Sequence, residues 1–449
     1  MRKPDRNAPC PCGSGKKYKK CCYLKSLPAA REELSLRSEI VREVLAFSRQ
    51  QFPETVEGAY DQFWAGFDPR EKLEDEALEL AEINFWEWFI HDYQIPEEGY
   101  MTPIELYEKG GRRLDPERIA VLEKMRKSVL SLYEVAEVLP EKGLLLNDLF
   151  LGGAYEVREK LGTRGMGKWD ILAVRLIFLD DVYAISGAIY SFPRPAKADL
   201  LKQLVALYNK YRTGAPDGSR ADFLKLFGHY FNRSWCVQMM HPFNPKLANR
   251  DGEAFVLCTA TFQIEDRIAA IEKLRSLEAL EEDDARTFVW LGERLDDDSS
   301  LIRGTIRLRE RSLTLECNSR ERLETGKALL LECLGNLIRH KADVFQDPYQ
   351  AMKEHRASGR RIESGIPREV EQQLRDRYIR QHYEKWGDEK LPALGGKTPR
   401  EAMKTPSGKK KVVDLLKQIE NAEEHAKLNG EAFSDLSWLW ERLGLGRDE

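Results

Sequence analysis

Four cysteines near the start of the chain have the residue type and spacing of a metal site. Cys10 and Cys12 form a C-x-C pair, and Cys21 and Cys22 form a C-C pair beyond a Gly-Ser-Gly turn. Two pairs of thiols that can converge on one point are the donor set of a closed, tetrahedral zinc site. We therefore predict that all four bind Zn2+. Another soft metal or a redox role for the thiols is the alternative.

Four lysines lie between the two cysteine pairs. Four thiolates around a divalent cation leave a net charge of about −2, which nearby ammonium groups offset while they lower the thiol pKa values. Lys16, Lys17, Lys19 and Lys20 occupy those positions. We expect the same lysines to contact an acidic partner.

Clustered cysteines can also form disulfides, which persist in oxidising compartments. The opening residues, Met-Arg-Lys-Pro-Asp, contain no apolar signal segment. We therefore expect reduced thiols and a cytoplasmic protein. A segment this short has too little apolar surface to fold alone, and structural zinc supplies the missing free energy.

Residues 7–22, Asn-Ala-Pro-Cys-Pro-Cys-Gly-Ser-Gly-Lys-Lys-Tyr-Lys-Lys-Cys-Cys, resemble the SEC-C motif, the zinc-binding tail of the bacterial translocation ATPase SecA. The last ligand of that motif is His or Cys, and here it is Cys22. The resemblance implies a bacterial cytosolic protein whose zinc module docks on other macromolecules. The chaperone SecB and the ribosome are the partners it suggests.

Composition indicates a globular body with a basic start. The chain has 449 residues, of which 42% are hydrophobic and 33% charged, and its net charge is −4. Residues 1–25 carry eight Lys or Arg and one Asp, so the remaining chain is acidic. We expect two to four domains, and no apolar run is long enough to span a membrane.

Changes in periodicity divide the chain into segments, and a short linker is expected at Ser26-Leu27-Pro28. The predicted class is α+β multidomain. The predicted domains are a zinc-binding module at 1–26, a helical domain at 29–130, a small β-barrel at 131–195, a helical segment plus an α+β unit at 196–345, and a C-terminal helical domain at 365–449.

Five short alternating runs between Tyr133 and Phe192 predict the barrel. We expect it to be SH3-like, and we favour an OB barrel less because no helix fits between the third and fourth runs. The connection at 158–169 is basic and rich in glycine. Its Arg164, Lys168 and Trp169 could hold phosphate or single-stranded nucleic acid, or form a solvated hairpin loop.

The α+β unit is predicted as a mainly antiparallel sheet in the order β-α-β-β-β-α, with helices on one face. Near the other end of the chain, the loop around Gly395-Gly396-Lys397-Thr398-Pro399 is similar to the toxin-binding domain of Xre/MbcA/ParS-type antitoxins. Such a loop also arises wherever one helix ends and the next begins. A protein partner for these helices is a further expectation.

No sequence signature of catalysis is present, because the seven histidines are scattered and no nucleophile elbow or phosphate-binding loop occurs. His229, Cys236 and His241 are the nearest candidates for a base and a nucleophile. We expect a non-catalytic adaptor whose basic zinc module docks on a ribosome or an acidic protein. A nucleic-acid-binding protein is the alternative, and an enzyme within the α+β unit ranks third.

Overall fold

The computed structural model describes residues 22–73, 75–110, 114–139, 142–159, 165–179, 182–240, 247–249, 251–294, 300–357 and 368–446. Of residues 22–34 it describes the backbone alone. The chain forms two compact units. Met1–Phe243 and Ile366–Glu449 make the first, and Asn244–Gly365 makes the second.

Helices open the first unit and follow its barrel. They are α1 (Cys22–Gln51), α2 (Pro53–Trp64), α3 (Pro69–Lys72), α4 (Asp75–Asp92), α5 (Pro103–Lys109), α6 (Pro116–Lys127), α7 (Lys197–Gly214), α8 (Arg220–Phe227) and α9 (His229–Met240). Asp115 caps α6 as its sequence predicts, because its carboxylate accepts the backbone N–H of Arg118 at 2.8 Å.

The expected linker at Ser26–Pro28 lies inside α1. Proline within a helix removes one backbone hydrogen bond, but the residues that follow, Ala-Ala-Arg-Glu-Glu-Leu, are strong helix formers. The helix therefore continues from Cys22 to side chains of the core, where Ile40 and Val44 are fully buried.

Five strands form a closed barrel, which confirms the predicted barrel. They are β1 (Leu130–Leu139), β2 (Gly143–Asp148), β3 (Ala154–Val157), β4 (Ile171–Leu179) and β5 (Val182–Phe192), in the order β1-β2-β3-β5-β4. The first strand pairs with β2 and, in its earlier half, with β4. Val157 of β3 pairs in parallel with Tyr183 of β5.

This strand order corrects the expectation of an SH3-like barrel. An SH3-like meander pairs its third strand with its fourth, whereas here the third strand pairs with the fifth, as in an OB barrel. The described residues between β3 and β4 form no helix. Alternating residues predict where strands lie but not which strands pair, so the absence of that helix was a poor guide to the topology.

The aromatic residues of α2 and α4 belong to a core that the helices share with the barrel. Phe63, Phe85 and Phe89 pack in the same cluster as Ile171 and Tyr190 of the barrel. Helices α7 to α9 join this cluster too. The structure thus places residues 197–240 with the first unit, whereas the sequence grouped them with the α+β unit.

The second unit is a six-stranded antiparallel sheet with helices, as predicted in outline. Its elements are β6 (Leu257–Ile264), α10 (Arg267–Arg275), β7 (Leu280–Asp284), β8 (Thr287–Arg294), β9 (Ser300–Leu308), β10 (Ser312–Cys317), α11 (Arg320–Leu334), β11 (Ile338–Gln346) and α12 (Pro348–Ala357), and its strand order is β11-β6-β10-β9-β8-β7.

Two of these strands were missed. An acidic run such as residues 281–284 is typical of a solvated turn, but these residues lie in the edge strand β7, where their side chains remain exposed. The sequence pattern predicts that the helix after β10 continues to about His340, but α11 ends at Leu334, because Gly335 takes a φ of 52°. The chain then turns into β11. Asn318, with Glu321 three residues on, is the cap that the sequence predicts, but the cap of α11 is Ser319, one residue later.

The chain returns to the first unit through α13 (Arg368–Glu384), α14 (Pro399–Ala402), α15 (Pro406–Leu428) and α16 (Ser437–Arg442). The sequence Thr398-Pro399-Arg400-Glu401 predicts a capping box, and Thr398 and Glu401 form it at the start of α14. A small core holds these helices together, including Leu416 of α15 and Trp440 of α16. Within the described residues, no helix is both long and apolar enough to cross a bilayer.

A substitution at Gly143 tests the pairing of β2 with β3. A Cβ at this position would overlap the carbonyl oxygen of Val157, whereas a Cβ on Gly58 in α2 would meet no atom within 4 Å. We expect Gly143→Ala to lower the free energy of unfolding by about 1–3 kcal/mol. Gly58→Ala should instead raise it by about 0.5–1 kcal/mol. Urea denaturation of both variants measures the difference, and equal effects would contradict this register.

Candidate functional site

The predicted zinc ligands lie at and before the start of α1. Cys22 is the first residue of that helix, and its backbone alone is described. Cys10, Cys12 and Cys21 lie outside the described residues, as do Lys16, Lys17, Lys19, Lys20 and Arg164. Among the side chains that are described, no group of three His, Cys, Asp or Glu residues is arranged to hold a metal ion.

Trp169, predicted to contact nucleic acid, is instead covered by other parts of the first unit. It is 3% exposed, and its indole N–H donates to the Glu420 carboxylate at 2.7 Å. The ammonium groups of Lys168 and Lys417 lie 4.3 and 4.1 Å from its ring centroid. Stacking on a base needs an open ring face, which Trp169 lacks in this arrangement.

A compact group of charges fixes α15 to the barrel beside Trp169. Glu134 of β1 contacts Lys197 at 2.7 Å, Arg194 at 3.0 Å and Lys417 at 3.0 Å. Burial alone would raise the pKa of Glu134, but the three cations outweigh it and lower the pKa to about 2. Asp414 of α15 completes the group by contacting Arg194 and Lys197 at 2.9 and 2.8 Å.

A cavity of about 520 Å³ opens next to this charge group. His425 and Asn421 of α15 face Asp170, which precedes β4. Nε2 of His425 and the amide nitrogen of Asn421 each lie 2.7 Å from Oδ1 of Asp170. The hydrogen bond to Asp170 raises the pKa of His425 above its ordinary value, although partial burial opposes the rise. An imidazole oriented by a carboxylate can exchange protons near neutral pH.

A second polar group is buried between α4 and the barrel. The side chain of Arg175 has no exposed surface, and it contacts Asp92 closely and Glu87 at 3.4 Å. Burial opposes ionisation of Glu87, yet His91, Arg37 and Arg175 hold the pKa of Glu87 well below its usual range. Lys225 of α8 lies 3.3 Å from Asp92, and burial lowers the pKa of Lys225 to about 8.

The candidate nucleophile near His229 lies in this same core. Cys236 is 4% exposed, and burial raises the pKa of its thiol to about 12, so the thiol stays protonated at neutral pH. Burial lowers the pKa of His229. His241 lies outside the described residues. Cys236 is an interior residue, in agreement with the apolar residues on either side of it in the sequence. A non-catalytic role for the protein stays a prediction.

Sequence reasoning missed the partners of Trp169 because they lie about 250 positions away on α15. The helical pattern of α15 was visible, but its polar face reads as ordinary solvated surface. One signal was available, since Lys417, Asn421 and His425 recur every four residues and therefore share one face of the helix.

Comparison with known proteins gives two matched regions. Residues 6–24 match the SEC-C motif. The chain carries a SEC-C motif. Residues 75–234 match a family described as "Family of unknown function (DUF7986)", and the match runs from α4 through the barrel to the middle of α9. Arg175, Glu87, His91, Asp92 and Lys225 of the buried group lie within that match, and Arg37 lies outside it.

Three relatives are similar to this chain over parts of its length. The chain is 32% identical over 149 residues to "Uncharacterized protein YccF" of Bacillus subtilis (strain 168), and it is 69% identical over 29 residues to "Protein translocase subunit SecA" of Desulforudis audaxviator (strain MP104C). It is 90% identical over 19 residues to "UPF0225 protein SG1365" of Sodalis glossinidius (strain morsitans). These matches cover 30%, 6% and 4% of this chain, and 38%, 3% and 12% of the relatives.

The ion pair between Asp170 and His425 predicts a pH-dependent contribution to stability. Because folding raises the pKa of His425, its contribution is fully present below the unfolded pKa of about 6.5 and is lost as pH rises through the folded pKa. His425→Gln should cost up to about 1 kcal/mol near pH 6 and less near pH 8.5. Chemical denaturation at both pH values measures this, with exposed His382→Gln as control. A cost that does not fall with pH would refute the pairing.

Proposed function

We propose that this protein is a zinc-stabilised, non-catalytic adaptor of the bacterial cytosol. In this proposal Cys10, Cys12, Cys21 and Cys22 hold Zn2+ and shape a basic module that docks on a macromolecular partner. The all-thiol donor set fits structural zinc because four protein ligands leave no coordination position open to a substrate. The match of residues 6–24 to the SEC-C motif supports the choice of metal.

The observation that carries the proposal is that one helix contains both Cys22 and residues of the core. Helix α1 begins at Cys22, and Ile40 and Val44 further along it are fully buried. The guanidinium of Arg37 contacts Ser186 of β5, and it lies 3.7 Å from Glu87 of α4. A partner held by the module is therefore linked to the body by continuous helix.

The lysines of the module supply the docking charge. Residues 1–25 carry a net charge of +7, whereas the rest of the chain is acidic. Lys16, Lys17, Lys19 and Lys20 would contact ribosomal RNA or an acidic protein. In the alternative, a nucleic-acid-binding protein, Arg164, Lys168 and Trp169 would take part as well. Trp169 is buried between two lysines, which favours the adaptor function over the nucleic-acid-binding function.

Zinc content tests the metal assignment. We expect about one zinc per chain in the purified protein and a loss of most of it in the Cys21→Ser/Cys22→Ser variant, because two of four ligands are removed. Metal analysis by mass spectrometry measures this. Cys333→Ser, which alters a half-buried free thiol elsewhere, should keep its zinc. Unchanged zinc in the double variant would refute the site.

Co-sedimentation with purified ribosomes tests the docking role. Lys16→Ala/Lys17→Ala should weaken binding, and Lys410→Ala/Lys411→Ala, which removes the same charge from the exposed start of α15, should not. If the two double variants weaken ribosome binding equally, the electrostatic attraction to the ribosome is not specific to the zinc module. A steep loss of affinity with salt for isolated ribosomal RNA would favour the nucleic-acid alternative.

A further inference from the structure

A pocket of about 590 Å³ lies where α2 ends and α3 begins. Three aromatic side chains line it: Tyr60, Trp64 and Phe67. The ring centroids of Trp64 and Phe67 are 5.9 Å apart, with their planes only 20° from parallel. Tyr60 and Trp64 are 5.8 Å apart at 59°. The pocket therefore has an aromatic wall.

The backbone brings these rings together at a tight turn. Ala65 and Gly66 adopt φ angles of 50° and 81°, which end α2 in the left-handed region. The N–H of Phe67 then donates to the carbonyl of Trp64 at 2.9 Å. Because this turn folds Phe67 back over Trp64, the two rings share one side of the pocket.

The remaining polar lining is mainly acidic. Asp61 and Asp68 are exposed on the pocket, and Arg70 is the one basic residue among those that line it. The surrounding stretch, residues 53–82, contains ten Asp or Glu and only two Lys or Arg. An aromatic face next to carboxylates attracts a cation through both the ring quadrupole and charge.

A lysine side chain suits this lining. Its methylene stem can pack on the aromatic rings while its ammonium group lies near the carboxylates of Asp61 and Asp68.

We propose that this pocket binds a lysine side chain of a basic peptide segment on a partner protein. The ammonium group lies against the wall formed by Trp64 and Phe67 and near Asp61 and Asp68. The volume exceeds that of one side chain, so a stretch of peptide backbone enters with it. This surface is independent of the zinc module, and its failure would leave the proposed docking role intact.

Fluorescence anisotropy of a labelled peptide of alternating glycine and lysine, titrated with the full-length protein at low salt, tests the proposal. We expect binding that is lost when every lysine of the peptide is acetylated. Asp61→Asn should weaken binding about threefold, and Arg70→Ala should strengthen it by removing a competing cation. Glu54→Gln removes an equal charge from the far end of α2 and should have no effect.

A further variant separates the aromatic contribution from charge. Phe67→Leu keeps an apolar side chain but removes the ring, so we expect at least about twofold weaker binding. Because Phe67 also packs against the core, the thermal unfolding midpoint should fall slightly, and binding is measured well below that temperature. Absent binding at low salt, or equal weakening by Asp61→Asn and Glu54→Gln, would overturn the proposal. Tighter peptide binding after Lys16→Ala/Lys17→Ala would also overturn it, because the chain's own basic segment would then be the occupant.

Discussion

The packing of the first unit depends on one buried guanidinium group, that of Arg175. Arginine cannot lose its proton in a protein, so a fold that buries one must bury anions beside it. Arg175 of β4 meets this condition with Asp92 and Glu87 of α4, and its Nη1 also donates to the carbonyl of Ser128 at 2.7 Å. Breaking such a pair leaves a buried charge uncompensated, at a cost of about 3–5 kcal/mol. Helix α4 and the barrel are thus bound together.

The same group extends to α1. Gly187 of β5 adopts a φ of 154°, and a Cβ there would lie only 3.2 Å from Oε2 of Glu87, so a small residue lets α4 approach the strand. Arg37 of α1 reaches Ser186, the neighbouring residue. Charge, hydrogen bonding and close backbone approach therefore connect three elements that are distant in sequence.

How far sequence predicts this structure depends on the range of the interaction concerned. Local signals served well: the five barrel strands, the cap at Asp115 and the capping box at Thr398 are all present. Pairing between strands was not predictable, because alternation in β3 does not say whether β4 or β5 lies beside it. The end of α11 at Gly335 was a local signal that was overlooked.

The candidate sites also differ in whether their residues are close together or far apart in the sequence. The cysteines near the start of the chain are grouped in sequence, so their chemistry could be read directly. The contacts of His425 with Asp170 join residues 255 positions apart and depend on the packing of α15. The aromatic pocket between α2 and α3 could be predicted only in part. Its residues are consecutive, but only the left-handed turn at Ala65 and Gly66 shows that their rings share a wall.

The continuity of α1 gives the number of residues between Cys22 and Ile40 a geometric meaning. Each residue of an α-helix advances the chain by about 1.5 Å and turns it by about 100°. Inserting one residue into this stretch would swing Cys22 about a quarter turn around the helix axis, whereas inserting seven would nearly restore its direction and move it outward by about 10 Å. The number of residues in this segment therefore sets the direction, relative to the core, in which Cys22 and anything attached to it project from the helix.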